Sequence, residues 1–213
     1  MTALAPEDVD AAVRAGRLSL VALLETLSPE EWRAPSLCGA WSVREVAAHL
    51  TTTTRETPWD VLRAVVRAGF SFDRMTRDVA RRLAAQHSTD ELLALLRESA
   101  ESSRRVVLSG PMDPLMDVVV HAQDIARPLG RDHHSPVPVT VATAAYLADN
   151  RLMGGPRRVR GLRLVATDAD WTHGTGLEVT GPAAELLLAV AGRPAGLTAL
   201  DGPGLPELAT RLQ

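Results

Sequence analysis

The sequence predicts a mainly α protein: a helical bundle over residues 1–155, followed by a small α+β domain over residues 156–213. Three observations predict it. Apolar residues recur at three- and four-residue intervals through the larger, N-terminal part, the period of a helix with one buried face. Two capping boxes, Ser42-Val-Arg-Glu45 and Ser88-Thr-Asp-Glu91, each open such a run. After Gly154-Gly155 the character changes, and Leu162-Arg-Leu-Val-Ala-Thr167 and Leu177-Glu-Val179 read as short strands.

The elements follow in chain order. Pro6 to Leu27 places Val9, Val13, Leu20, Leu24 and Leu27 near one face, with Pro6 suited to a first helical turn. Pro29 to Gly39 reads as a loop broken by Pro35 and Gly39. The Ser42 box opens a helix through Val46, Ala47 and Leu50. A third helical stretch begins near Pro58-Trp59, with a break near Gly69-Phe70, and continues through Met75, Val79 and Leu83. The Ser88 box leads into Leu92, Leu95, Leu96, Ser99 and Val106. Asp113-Pro114 reads as an N-cap followed by proline at the first helical position, and that helix stops before Pro128. Arg131 to Pro138 is a polar connector, and Thr140 to Met153 a further helix. In the tail, Pro182 to Ala191 and Pro203 to Leu212 read as helices.

Composition excludes several classes. With 26 acidic against 23 basic residues the net charge is -3, which gives no global attraction to nucleic acid or to an anionic membrane. The arginines at 74, 77, 81 and 82 read as a solvated face without interleaved aromatics. The apolar runs, such as Leu186–Ala191, fall far short of the roughly 20 residues that span a bilayer. Glu7, Asp8 and Asp10 stand where a signal peptide carries basic residues, so a cytoplasmic location is expected, with no membrane and no nucleic-acid partner. All 23 basic residues are arginine, which removes Schiff-base, pyridoxal-phosphate and P-loop lysine chemistry. One cysteine, Cys38, permits no internal disulfide and no cysteine-rich zinc site. It is read as a small buried residue rather than as a nucleophile.

The residues that can carry chemistry are Asp117 and His121, in Asp113-Pro-Leu-Met-Asp117-Val-Val-Val-His121-Ala-Gln-Asp124. Four apart on a helix, they share a face and stand about 6 Å apart along the axis. A carboxylate oxygen and an imidazole nitrogen so placed can reach one divalent ion, or can form an ordinary ion pair. His49, next to Val46 and Leu50, is the candidate third ligand, or else a packed structural histidine. Three protein ligands leave an open coordination position, the pattern of a catalytic site. Asp124, one turn beyond His121, is placed to orient its imidazole. His87, His133-His134 and His173, the last in a Gly-rich turn, read as surface or turn residues.

At these residues the chain resembles a known family. Trp32, then Pro35-Ser-Leu-Cys38-Gly39-Ala40-Trp41-Ser42-Val43-Arg44-Glu45, ending in Ala48-His49-Leu50, looks like the N-terminal signature of mycothiol-dependent maleylpyruvate isomerase-like proteins, relatives of DinB/YfiT-like metal-binding bundles. Asp117 to Gly130 is similar to the family's second motif. Asp170-Trp171-Thr172-His173-Gly174 and Leu186 to Pro194 look like its small C-terminal domain. The resemblance implies a DinB-like four-helix bundle whose metal ligands are His49, Asp117 and His121. It also implies a divalent ion, zinc first, and mycothiol as thiol cosubstrate. The isomerase carries Glu where this chain has Asp117. In the isomerase the thiolate adds to an activated cis double bond, rotation follows, and elimination releases the trans product; other members transfer the thiol to electrophiles. The expected function is therefore a thiol-using isomerase or S-transferase acting on a small electrophile, as a monomer or homodimer. Arg193, in the C-terminal Gly-Arg motif, is the expected partner of a substrate carboxylate. The alternatives are a non-catalytic metal- or ligand-binding bundle and a bundle with a vestigial site.

Overall fold

The computed structural model describes residues 4–39, 41–52, 71–102 and 110–213. Helix α1 (Pro6–Leu24) buries Val9, Val13, Leu20, Val21 and Leu24, and also Arg17. It ends one turn earlier than the periodicity suggests. The expected loop after it contains a short helix, α2 (Pro29–Arg33). Ser28 caps it: its Oγ accepts from the Glu31 N–H at 3.2 Å while its own N–H donates to the Glu31 carboxylate at 2.8 Å. Ser28-Pro-Glu-Glu31 is a capping box, with proline where it does not interrupt a helical hydrogen bond. A turn of this length carries no periodicity to read.

Helix α3 (Val43–Thr52) starts as expected. The Ser42 N–H donates to Glu45 at 2.7 Å, and Ser42 Oγ accepts from the Glu45 N–H at 3.3 Å. Helix α4 (Phe72–Gln86) is capped by Ser71, and α5 (Thr89–Ala100) by the Ser88–Glu91 box. Helix α3 contacts α4, α5 and α6 (Asp113–Ala126). Ala48, Ala84 and Leu92 form one buried cluster across α3, α4 and α5. The expected helix start at Pro58-Trp59, the break at Gly69-Phe70, Ala40, and the position of Val106 lie outside the described residues.

Helix α6 departs from expectation at its start. Its N-cap is Met112 and makes no side-chain cap bond. Asp113 is already helical, and its carboxylate accepts from the Gly110 N–H at 2.7 Å. The helix ends at Ala126 and passes through a 3-10 turn, Arg127–Leu129, to Gly130 at φ 63°. Residues 114–116 and 118–126 are all buried, so α6 is the central helix of its unit rather than an amphipathic surface one. Gly16 explains how α1 approaches it: a Cβ there would stand 3.2 Å from Val118 Cγ1.

The chain divides into two compact units, residues 7–133, and residues 134–213 with the first six. The expected division at 155 differs, and the reason is helix α7 (Val137–Asp149). It begins three residues before the expected Thr140, with Pro138 in its first turn, and packs on α9 (Ala183–Val190). In the second unit, α8 (Gly155–Val159) precedes strands β1 (Leu162–Ala166), β2 (Thr172–Gly174) and β3 (Leu177–Gly181). The sheet order is β2-β1-β3, with β2 antiparallel and β3 parallel to β1. Strand β2 takes the segment expected as a turn around His173. A 3-10 turn (Pro194–Ala199) and α10 (Leu205–Arg211) complete it.

Gly155 has no space for a side chain, since a Cβ would lie 1.7 Å from the Leu147 carbonyl oxygen. The atom it would meet belongs to backbone, which cannot rotate aside. Gly155→Ala is expected to destabilise the protein by about 1–3 kcal/mol or more, seen as a lower midpoint in urea unfolding. A midpoint within error of wild type would contradict the tight α7–α8 corner.

Candidate metal centre

Each candidate ligand is placed by a local reason. His49 sits in the last turn of α3, three residues after the buried Val46 and beside the buried Leu50. Asp117 and His121 share one face of α6 by their four-residue spacing. The buried surroundings of α6 leave His121 9 % exposed and Asp124 fully buried.

The three side chains meet. The ligand atoms of His49, Asp117 and His121 all lie within 4.8 Å of one another. The rings of His49 and His121 stand edge to face, with centroids 5.1 Å apart. Four-coordinate ligands 2.0–2.2 Å from one ion stand about 3.4 Å apart, so side-chain adjustment of about an ångström closes the set. Behind His121, Nδ1–H donates to Asp124 Oδ2 at 2.8 Å. That bond commits Nδ1 and leaves Nε2 as the ring's lone-pair nitrogen.

The electrostatics suit a cation. Burial holds the His49 imidazole down to about 3, and the His121 charge adds to the depression. It is therefore neutral and able to ligate at any ordinary pH. Burial pushes the Asp117 carboxyl up, and Asp113 adds to this, while His121 and Arg17 oppose it. A divalent ion would reverse that penalty by supplying the missing positive charge. The pH dependence follows. Between pH 6.5 and about 3 an unfolded His49 binds a proton that the folded one refuses, so its contribution to stability is complete above 6.5 and is lost as pH falls toward 3. Metal-stripped His49→Gln protein is expected to lose stability less steeply than metal-stripped wild type over that window, as read by thermal melts. Parallel curves would refute the buried, neutral imidazole.

Three neighbours carry no role in the sequence reading. Trp41, 7 % exposed, lies against both imidazoles, with ring centroids 5.2 Å from His49 and 6.3 Å from His121. Arg17, 4 % exposed, donates through Nη1 to the Ser99 carbonyl at 2.6 Å and interacts with the Asp117 charge. Its signal is in the sequence: an arginine interrupts the apolar stripe Val9, Val13, Leu20, Leu24. The Cys38 Sγ lies within 4.8 Å of both a His121 nitrogen and an Asp124 oxygen. The loop bearing it is tied down by the Leu37 N–H, which donates to the Asp124 carbonyl at 3.0 Å.

The remaining expected residues lie elsewhere. Arg193 belongs to the second unit, where Nη1 donates to the Ala191 carbonyl at 2.7 Å. His173 stacks on Trp171 there, with centroids 6.2 Å apart. His133 is half-buried rather than solvated: its ring meets Ser19 Oγ at 3.2 Å and its carbonyl accepts from Gln123 at 2.6 Å.

Fold and donor set together define a helical bundle with a His/His/Asp cluster between two helices, joined in sequence to a small α+β unit. Residues 13–113 match the family model described as the Mycothiol maleylpyruvate isomerase N-terminal domain. That match contains His49 and ends before Asp117 and His121. No curated protein matches the chain. Among solved structures it is similar to the crystal structure of the mycothiol-dependent maleylpyruvate isomerase, at 16% identity and a TM-score of 0.63, over 95% of this chain and 96% of that one. It is also similar to a histidine-to-alanine mutant of that enzyme, at 18% identity and a TM-score of 0.57, with the same coverage. These likenesses establish the mainly helical fold with its small sheet. Among the described residues no helix is long and apolar enough to cross a membrane.

Proposed function

We propose that the chain is a metal-dependent enzyme that uses a low-molecular-weight thiol, mycothiol, to isomerise or to be transferred onto a small electrophile. One observation carries this reading: ligand atoms of His49, Asp117 and His121 converge within 4.8 Å, with Asp124 fixing the His121 tautomer. The family match and the structural likeness support the choice of thiol. His49, Asp117 and His121 would hold the ion, zinc first. When bound, such an ion would lower the pKa of a coordinated thiol, so that a thiolate is available at neutral pH.

The chain's own residues do the rest. Asp124 keeps the hydrogen on Nδ1 of His121 and so directs Nε2 toward the triad. Trp41 walls the site beside both imidazoles and limits water there. Arg17 offsets part of the negative charge of Asp117. Arg193 is proposed to bind a substrate carboxylate through its planar guanidinium. Asp117 is one methylene shorter than the glutamate of the isomerase, which sets a tighter reach for the carboxylate.

The test is elemental analysis of purified protein, followed by assay with mycothiol and a panel of electrophiles, including a cis-configured unsaturated keto acid. About one divalent ion per chain and mycothiol-dependent turnover lost on chelation are expected. Metal-loaded protein without thiol-dependent turnover, but with a tightly bound small ligand, would instead favour the non-catalytic binding bundle. Metal-free protein would favour a vestigial site.

A further inference from the structure

We propose that Cys38, His121 and Asp124 form a second metal-binding position, suited to thiophilic cations, that shares the His121 ring with the triad and excludes the triad's ion. The exclusion rests on the function proposed above; the position itself does not. The Cys38 Sγ, a His121 ring nitrogen and an Asp124 carboxylate oxygen all lie within 4.8 Å of one another. Two of them already converge, with Asp124 Oδ2 2.8 Å from His121 Nδ1.

The cysteine is held in place by its loop. The Leu37 N–H donates to the Asp124 carbonyl at 3.0 Å, the Cys38 N–H donates to Ser36 Oγ at 3.1 Å, and the Cys38 carbonyl accepts from the Trp41 N–H at 3.1 Å. The backbone bearing Sγ is thus fastened to the helix that bears the other two ligands. Cys38 is partly exposed while Asp124 is fully buried, so an ion has an entry side and a closed inner side.

One sulfur, one nitrogen and one oxygen form a softer set than the two imidazoles and carboxylate of the triad. Thiolate-containing sets select cations such as cadmium over harder ones. Filling the position requires no redox step. Cys38 releases its thiol proton to solvent, and the His121 hydrogen moves from Nδ1 to Nε2. A neutral imidazole has one lone-pair nitrogen. With Nδ1 on the second ion, Nε2 carries the hydrogen and no longer ligates at the triad, so an ion there is released unchanged.

The test is titration of the metal-free full chain with cadmium, followed by the ultraviolet thiolate-to-metal absorption. Cys38 is the chain's one cysteine, so any such band reports it. One cadmium per chain should bind with the band. His121→Ala, with His121→Gln as a second variant and folding checked by circular dichroism, should weaken that binding by about tenfold or more. His49→Ala should keep the band, and cadmium added to zinc-loaded wild type should release one zinc per chain. Folded wild type without a band would overturn the proposal, as would undiminished affinity in the His121 variants, or zinc and cadmium bound together. Failure of wild type to take zinc while the band persists would sink the proposed function and leave this position standing.

Discussion

Replacement of His121 by alanine is expected to leave the chain without a stoichiometric divalent ion at its helical core. His121 contributes a ligand atom within 4.8 Å of those of His49 and Asp117. Removing it leaves two ligands, which do not make a stable site. The loss of affinity should exceed the roughly 10–100-fold that follows removal of a supporting partner alone. Alanine favours helix, so α6 should persist, and circular dichroism separates metal loss from unfolding. Calorimetric titration with zinc gives the measurement. One ion per chain at wild-type affinity in this variant would place the metal somewhere else in the molecule.

Asp124→Asn is the second large effect. The carboxylate is fully buried and accepts from His121 Nδ1 at 2.8 Å. Asparagine keeps the shape, loses the charge and presents one acceptor oxygen where the carboxylate presents two. The imidazole then loses the partner that fixes its tautomer, and a fraction of molecules carry the hydrogen on Nε2. Zinc affinity should fall about 10–100-fold with the fold intact. Affinity equal to wild type would remove the positioning role of Asp124 and leave it a structural acid.

Much of this centre is legible in the sequence, for identifiable reasons. Asp117, His121 and Asp124 are four and three residues apart on one helix, and helical geometry fixes their relation without tertiary knowledge. Ser42 with Glu45 and Ser88 with Glu91 announce two helix starts through side-chain chemistry that acts over three residues. The convergence of His49 onto the pair is a tertiary fact; in the sequence it rested on family resemblance and on the apolar neighbours of His49.

What stayed hidden is what depends on contact between distant segments. Trp41 reads as a large apolar residue ahead of a cap, and only packing puts its ring against both imidazoles. Cys38 reads as filler, and its nearness to Asp124 arises from one backbone hydrogen bond out of Leu37. The division near 133 escaped because α7 is an ordinary helix by periodicity, and its partner α9 lies more than thirty residues later. Asp113 reads as a cap because an aspartate before a proline suits that role, whereas in the structure its carboxylate turns back to Gly110.

Asp124 acts through both its side chain and its main chain. The carboxylate sets the attitude of one imidazole, while the carbonyl grips the loop of Leu37, a few residues before Trp41. One residue is therefore the common anchor of the imidazole and of the loop that leads to the indole, so a substitution that displaces the Asp124 backbone alters both supports at once.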